Sequence, residues 1–129
     1  MKAISPGLSG RLEIVPEERH TASAVGNTGA NVVSTPSLIG FLEQVSHRVI
    51  LPSVEAGELS VGTRVEVDHL AAAYVGEPII ATARIVAVEG RRITFEVEAR
   101  QGGRVVMKGR HGRAIVSRDR LMAKKPAGS

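Results

Sequence analysis

The chain has 129 residues, 43% of them hydrophobic and 23% charged, with a formal net charge of +4 and no cysteine. This length fits one domain with a single core, and the lack of cysteine excludes disulfide scaffolds, cysteine-ligated metal sites and thiol nucleophiles. No apolar run approaches the ~20 residues of a membrane span, and the first residues lack a secretory signal, so we expect a cytoplasmic protein without a membrane partner. The positive charge favours an anionic ligand. Because one tyrosine and two phenylalanines are too few to stack on nucleic acid, a small phosphorylated molecule fits better than a polynucleotide.

The first elements in chain order are short. Residues 11–15 alternate between polar and apolar side chains, which predicts a strand that Pro16 ends. A second extended segment is predicted over residues 20–25, and residues 26–34, with two glycines and two asparagines, predict a loop. A short strand and a loop therefore precede the main elements.

The clearest helix of the sequence lies over residues 36–51. Thr35 is predicted as its N-cap and Pro36 occupies the first helical position, where a missing N–H is tolerated, and Pro52 ends it. The apolar stripe of this helix consists of Leu38, Phe41, Leu42, Val45 and Val49, widened by Ile39 and Ile50. Because so broad an apolar arc must be covered by other structure, we expect the helix to be central rather than on the surface.

The second half of the chain predicts four strands, over residues 61–69, 78–88, 92–100 and 104–116, with turns at 89–91 and 102–103. Their alternation gives one apolar face, consisting of Val65, Val67, Ile79, Ala81, Ala83, Ile85, Ala87, Ile93, Phe95, Val97, Ala99, Val105, Met107 and Ile115. A strand, a loop, a buried helix and a four-strand meander indicate an α+β fold, with one helix lying across a curved antiparallel sheet. We expect one domain over residues 1–116 and a polar, flexible tail over residues 117–129.

Four polar residues fall in phase with the apolar positions of these elements: Glu43 on the helix, and His69, His111 and Arg113 on strands. Burying such groups unpaired costs several kcal/mol, so they must find partners, reach a cavity or bind a ligand. Structural interpretations also exist. Glu43 could lie on the exposed edge of the helix, His69 could be a hydrogen-bonded core residue or lie beyond the strand's end, and Arg113 could be an ion-pair partner or a dimer contact. Surface or strand-entry roles are assigned to the remaining residues: His20, His47 and Gly62.

The functional interpretation combines these groups. A carboxylate in an apolar setting has a raised pKa and works well as a base or nucleophile, while a histidine can move a proton or hold a water molecule. The hydroxyl of Thr35 and the N–H groups at the helix start can stabilise an oxyanion. This set suits attack on an activated acyl group. The sequence has no Gly-x-Ser-x-Gly elbow, no metal-ligand cluster and no phosphate-binding loop.

Three ordered segments carry a resemblance to a known family. They are residues 34–43 at the helix start, residues 61–76 around the next strand, and residues 88–95 together with His111-Gly-Arg113 on the last hairpin. With these segments the chain resembles hotdog-fold thioesterases of the fluoroacetyl-CoA thioesterase-like group, over roughly residues 11–116. The resemblance implies a hotdog fold, in which a curved antiparallel sheet wraps around one central helix.

The resemblance also implies roles for five residues. The family's catalytic threonine, glutamate and histidine match Thr35, Glu43 and His69, and its pocket glycine and arginine match Gly62 and Arg113. Glu43 would act as nucleophile or base, His69 would handle the proton and the water, and Thr35 would hydrogen-bond the glutamate or the thioester carbonyl. The implied reaction is hydrolysis of an acyl-CoA without a cofactor, since coenzyme A is part of the substrate. The implied assembly is a homodimer, or a dimer of dimers, with sites at the subunit interface.

One departure from the family concerns the acyl group. The fluoroacetyl-specific enzyme gates its pocket with a phenylalanine shortly before the threonine, whereas residues 25–34 contain no aromatic side chain. We therefore expect a thioesterase for another small acyl group rather than a fluoroacetyl-specific one. Two alternatives stay open: a non-catalytic acyl-CoA-binding hotdog module, and a hotdog hydratase or dehydratase, which usually carries its histidine before the helix acid.

Overall fold

The computed structural model describes residues 1–128, which form one five-stranded antiparallel sheet and one long helix. The elements are β1 (Ser9–Ile14), α1 (Thr35–Ile50), β2 (Glu58–His69), β3 (Ile79–Glu89), β4 (Arg92–Gln101), β5 (Arg104–Ser117) and the short helix α2 (Arg118–Ala123). The strand order is β1-β3-β4-β5-β2. The predicted α+β architecture, one central helix against an antiparallel sheet, is confirmed. None of the helices in residues 1–128 is long and apolar enough to cross a bilayer.

The start of α1 corrects the predicted cap. The N-cap is Ser34, whose side chain accepts a hydrogen bond from the Ser37 N–H at 3.2 Å, whereas Thr35 is the first helical residue. Both hydroxyl residues suit a cap by type, and Ser34 has the extended backbone that a cap requires, with φ −70° and ψ 152°. The Thr35 hydroxyl is therefore available to a partner outside the helix.

The core lies between α1 and one face of the sheet. The residues of α1 and the sheet that form it are Leu38, Phe41, Leu42, Val45 and Ile50, with Ile79, Ala81, Ala83, Ile85, Ile93, Phe95, Val97, Ala99, Val106, Met107 and Ile115. Complete burial of a large apolar side chain contributes about 1.5–3 kcal/mol, so this layer holds α1 firmly against the sheet. Side chains on the inward face of α1 therefore have well-defined positions relative to the strands.

Two irregularities in strand pairing change which residues face the core. The register of β3 against β4 shifts just before Ala87, and Val88 rather than the predicted Ala87 packs against the core. A second shift between β4 and β5 leaves Val106 buried and the predicted Val105 only half-buried. An extra residue in one strand of a pair reverses the alternation beyond it. The predicted faces of β3 and β5 are wrong at these two positions for that reason.

One connecting segment also differs from expectation. Residues 20–25 are not extended; they lie in and between two 3₁₀ turns, Glu18–His20 and Ser23–Val25, and only Thr21 among them forms an isolated bridge to another segment. The segment predicted as a polar tail begins with α2, an exposed helix whose N-cap is Ser117.

Candidate active site

Glu43 and Gly62 meet where α1 passes over β2. Gly62 lies inside β2, because the strand begins at Glu58, and its interpretation as a strand-entry glycine is wrong. A Cβ atom at position 62 would lie 2.6 Å from Glu43 Oε2, closer than such atoms approach in proteins. Glycine at this position therefore gives the carboxylate its place against the strand. The register of β2 against β5 shifts immediately after Gly62, and bulges of this kind are frequent beside active sites.

The counter-ion of Glu43 is Arg113 on β5. Arg113 is buried, with 7% of the residue exposed, and its Nη1 lies 3.5 Å from Glu43 Oε2. Its Nε donates to Ser60 Oγ at 2.8 Å and its Nη2 donates to the Ser60 carbonyl at 3.1 Å. Burial lowers the pKa of Arg113 from its ordinary value, and the Glu43 carboxylate opposes that change. The guanidinium is thus anchored on β2 and presents one nitrogen to the carboxylate.

His111 is a further member of this group. The residue is 2% exposed, and its ring stacks on Phe95 with centroids 6.3 Å apart. Its Nδ1 lies 2.8 Å from the Arg64 carbonyl oxygen, and its Nε2 lies 3.2 Å from Arg113 Nη1. Burial lowers the pKa of His111; the bond to the Arg64 carbonyl opposes this and Arg113 adds to it. The strand alternation predicted correctly that His111 faces the core, but gave it no role in the site.

Thr35 and His69 form a second group, at the first residue of α1 and the last residue of β2. Thr35 Oγ1 lies 2.7 Å from His69 Nδ1, and both residues are exposed. His69 does not point into the core as its phase predicted, because it stands at the end of an edge strand. It contacts the threonine to which the family resemblance assigned a part in the same reaction.

A single chain keeps these groups apart. We call the first the carboxylate cluster (Glu43, Gly62, His111 and Arg113) and the second the imidazole pair (Thr35 and His69). Thr35 and Glu43 are eight positions apart on α1, which corresponds to about 12 Å along the helix axis. No hydrogen bond within residues 1–128 joins the imidazole pair to the carboxylate cluster. The structure therefore brings together two subsets of the predicted site residues, at different points along α1.

The surroundings of Glu43 differ from the dry setting expected from the sequence. Its side chain is 44% exposed, and a shallow recess, too small to hold a water molecule in the single chain, lies beside it. The recess is lined by Ile39, Leu42, Val65, Val67 and Val97, together with Glu43 and His111. Val65, predicted to lie in the core, is 43% exposed in the single chain. The carboxylate is therefore accessible to a ligand and has an aliphatic recess next to it.

Two histidines interpreted as surface residues are half-buried. The ring of His20 packs edge-on against Phe41 with centroids 5.1 Å apart. His47 Nδ1 is buried without a hydrogen-bond partner in the part of the chain that the structure describes. Burial lowers the pKa of both histidines, and the charges of Arg19 and Arg113, respectively, add to that effect. Their burial results from contacts between elements, which the pattern within one element does not reveal.

The side chains of the two groups are those of acyl-transfer chemistry. A carboxylate can act as general base or nucleophile, and an imidazole held by a hydroxyl can transfer protons at neutral pH. Residues 1–128 contain no group of three or more His, Asp or Glu side chains placed to hold a metal ion.

Comparison with known proteins identifies the family. The fluoroacetyl-CoA-specific thioesterase family (FlK) matches residues 16–119. The fluoroacetyl-CoA thioesterase of Streptantibioticus cattleyicolor is 36% identical over 93 residues, which are 72% of this chain and 67% of that protein. A variant of the fluoroacetyl-CoA thioesterase solved with acetyl-CoA has a TM-score of 0.89 at 28% identity, covering 94% of this chain and 96% of that one. A thioesterase superfamily member from Thermus thermophilus has a TM-score of 0.87 at 29% identity, covering 95% and 91%. The chain therefore belongs to the fluoroacetyl-CoA-specific thioesterase family and is a thioester hydrolase of the hotdog fold.

Proposed function

We propose that this chain hydrolyses the thioester bond of small, apolar acyl-CoA molecules, with Glu43 as the reacting carboxylate. The observation that carries the proposal is the setting of Glu43, which is seated against Gly62, 3.5 Å from the buried Arg113 and beside an aliphatic recess. A carboxylate held in this way can act on a bound carbonyl with little loss of conformational freedom. The complexes of structural relatives with acetyl-CoA and with CoA support the substrate class.

Two routes are compatible with this arrangement, and both consume one water molecule. As a general base, Glu43 takes a proton from a water whose oxygen attacks the thioester carbonyl; the C–S bond then breaks and the proton passes to the thiolate of CoA. As a nucleophile, Glu43 forms an acyl anhydride and releases CoA, and water then hydrolyses the anhydride. In either route His69 is proposed to move the proton, and Thr35 to orient His69 or to donate to the carbonyl oxygen.

A second copy of the chain is proposed to complete the site. Within residues 1–128, strand β2 pairs only with β5, so a twelve-residue edge leaves backbone donors and acceptors unpaired. Val65 on this edge is 43% exposed beside the recess. Antiparallel pairing of two β2 strands would give a two-fold symmetric homodimer and cover Val65. The imidazole pair of one copy could then approach the carboxylate cluster of the other, and a dimer of dimers could be built from the same unit.

The acyl group is proposed to be small and aliphatic, without selectivity for fluoroacetate. The recess beside Glu43 is lined mainly by Ile, Leu and Val side chains, which favour an alkyl group over a polar one. Residues 25–34 offer no aromatic side chain to close over it. A cytoplasmic location and a reaction without a cofactor stay predictions from the sequence.

A thiol-release assay over a panel of acyl-CoA molecules tests the proposal. The panel consists of acetyl-, propionyl-, isobutyryl-, benzoyl- and fluoroacetyl-CoA, and kcat/KM is measured for each. We expect the short aliphatic members to be hydrolysed fastest and fluoroacetyl-CoA to have no large advantage over acetyl-CoA. Calorimetric binding of an acyl-CoA without release of thiol from any member would contradict the proposal and favour the non-catalytic acyl-CoA-binding module.

A further inference from the structure

His111 occupies a position that the proposed reaction does not use. Its ring is held between the Arg64 carbonyl oxygen, 2.8 Å from Nδ1, and Arg113 Nη1, 3.2 Å from Nε2. The same Arg113 nitrogen lies 3.5 Å from Glu43 Oε2. These contacts form a continuous chain from the backbone of β2, through a buried imidazole and a buried guanidinium, to the reacting carboxylate.

The two partners of the ring determine where its proton lies. A carbonyl oxygen only accepts hydrogen bonds and a guanidinium only donates them. Nδ1 must therefore carry the proton and donate to Arg64, while Nε2 must be unprotonated and accept from Arg113. A ring protonated on both nitrogens would set an N–H against the Arg113 N–H and place a second positive charge beside the first. The neutral Nδ1–H tautomer alone satisfies both contacts.

We propose that His111 is a positioning residue for thioester hydrolysis: its neutral tautomer orients Arg113, and Arg113 fixes the Glu43 carboxylate. This role rests on the proposed function of Glu43. Arg113 from β5 and Glu43 from α1 are the charged groups that face the ring, while β4 contributes the apolar Phe95 and β2 the backbone carbonyl of Arg64. Protonation of His111 removes the acceptor that Arg113 uses, so kcat is expected to fall as the ring becomes charged.

Two variants separate this role from a purely structural one. H111Q places an amide oxygen near the position of Nε2 and can still accept from Arg113, whereas H111N reaches only the position of Nδ1 and cannot. We expect H111N to lose about 10- to 100-fold in kcat, with KM changed much less, because a misplaced catalytic group costs rate rather than binding. H111Q should retain several-fold to tenfold more activity than H111N. Thermal melts verify that both variants are folded at the assay temperature.

Nitrogen-15 NMR of histidine-labelled wild-type protein gives a readout that needs no substrate. At neutral pH the His111 resonances are expected to show a protonated Nδ1 and an unprotonated Nε2. A protonated Nε2, or folded H111N and H111Q variants with equal kcat, would overturn the positioning role alone. If the wild-type protein shows the expected tautomer but hydrolyses no acyl-CoA, the proposed function is overturned, and the positioning role with it.

Discussion

The carboxylate cluster and the imidazole pair are built in opposite ways, although both depend on α1 and β2. In the carboxylate cluster a half-exposed carboxylate rests on a buried guanidinium, which is itself held by three further hydrogen bonds to Ser60 and His111. The imidazole pair consists of two exposed side chains joined by one contact of 2.7 Å. One group is supported on several sides by the chain's own core, and the other stands at the end of an edge strand.

This difference shows which part of the site is held in position by contacts within a single chain. Core packing against the sheet fixes the position of the carboxylate, because α1, β2 and β5 all contribute to the cluster. A single hydrogen bond between two exposed side chains holds their geometry only weakly. The position of such a pair therefore depends on any surface that packs over it. The unpaired edge of β2 lies next to that pair. We therefore expect the carboxylate cluster to be largely independent of assembly, and the imidazole pair to acquire its function in the dimer.

Replacing Glu43 should have the largest effect. E43Q keeps the shape of the side chain and an oxygen that accepts from Arg113, but it can neither take a proton nor attack a carbonyl. We expect kcat to fall by at least about 100-fold with little change in thermal stability. Thiol release and a thermal melt on the same preparation measure the two quantities.

The matched control is E96Q. Glu96 is an exposed carboxylate on β4 whose partner, Arg84, lies 3.0 Å away on the neighbouring strand. It alternates with the buried Phe95 and Val97 and so points away from the core layer. Exposed pairs of this kind contribute little to stability, so E96Q should behave as wild type in both assays. Wild-type turnover by E43Q would remove Glu43 from the mechanism.

Removing the imidazole of His69 should have the next largest effect on activity. The same variant also tests whether the site is shared between two copies of the chain. H69A is expected to lose about 10- to 100-fold in activity, since a positioned proton carrier contributes at this level or above. Mixed dimers of H69A and E43Q contain one intact site if the site combines Glu43 of one copy with His69 of the other. Random mixing should then restore about a quarter of wild-type activity, since half of the dimers are mixed and each has one of its two sites intact.

Activity of the H69A and E43Q mixture distinguishes between two placements of the imidazole. If both residues of each site belong to the same chain, mixing restores nothing beyond the residual activity of the two variants. Co-expression with two different affinity tags isolates the mixed dimer and avoids dependence on subunit exchange. An absence of restored activity in the isolated mixed dimer would contradict a site shared between copies.

The comparison also shows what the sequence could and could not predict. Alternation and helical periodicity predicted α1 and the four long strands because each is amphipathic on its own. Glu43 and Arg113 each break that pattern, which identifies both as candidate site residues, but the contact between them is seen only in the structure. The cap was assigned to Thr35 rather than Ser34 because two adjacent hydroxyl residues are equivalent by type, and only the backbone conformation distinguishes them.

Other features of the fold depend on elements distant in the sequence. Whether Ala87 or Val88 faces the core depends on a bulge between β3 and β4, which neither strand encodes alone. Val65 was placed in the core by alternation, yet it lies on an edge strand where burial depends on a neighbour. The bonding of His111 to both Arg64 and Arg113 likewise requires β2 and β5 to be in the correct register. Patterns within one element do not contain this information.

Two glycine variants distinguish a displacement of the Glu43 carboxylate, which affects kcat, from general strain on α1, which affects stability. In G62A the new Cβ would lie 2.6 Å from Glu43 Oε2, and in G10A it would lie 2.7 Å from Val49 Cγ2. Each new Cβ would come too close to a side chain of α1 by a similar distance. The first clash displaces the Glu43 carboxylate, and the second displaces only the Val49 side chain. We expect G62A to lower kcat by about 5- to 10-fold, because small displacements of a reacting group are costly. G10A should keep the wild-type kcat while its melting temperature falls; an equal loss of kcat in G10A would show that general strain on α1, not the place of Glu43, limits the rate.

The smallest expected effect is a dependence of stability on pH that arises from the buried histidines. Burial lowers the pKa of His111, His47 and His20 below the ordinary value of 6.5 in the folded chain. The unfolded chain therefore binds more protons just below pH 6.5, so stability is complete above that pH and declines as the pH falls through the lower folded values. Urea midpoints measured from about pH 8 to about pH 5 should show this decline, with a shallower slope in H111Q because one of the three groups no longer titrates. His111 is the one of these three histidines that belongs to the carboxylate cluster. A slope that stays unchanged in folded H111Q would contradict its contribution to the pH dependence.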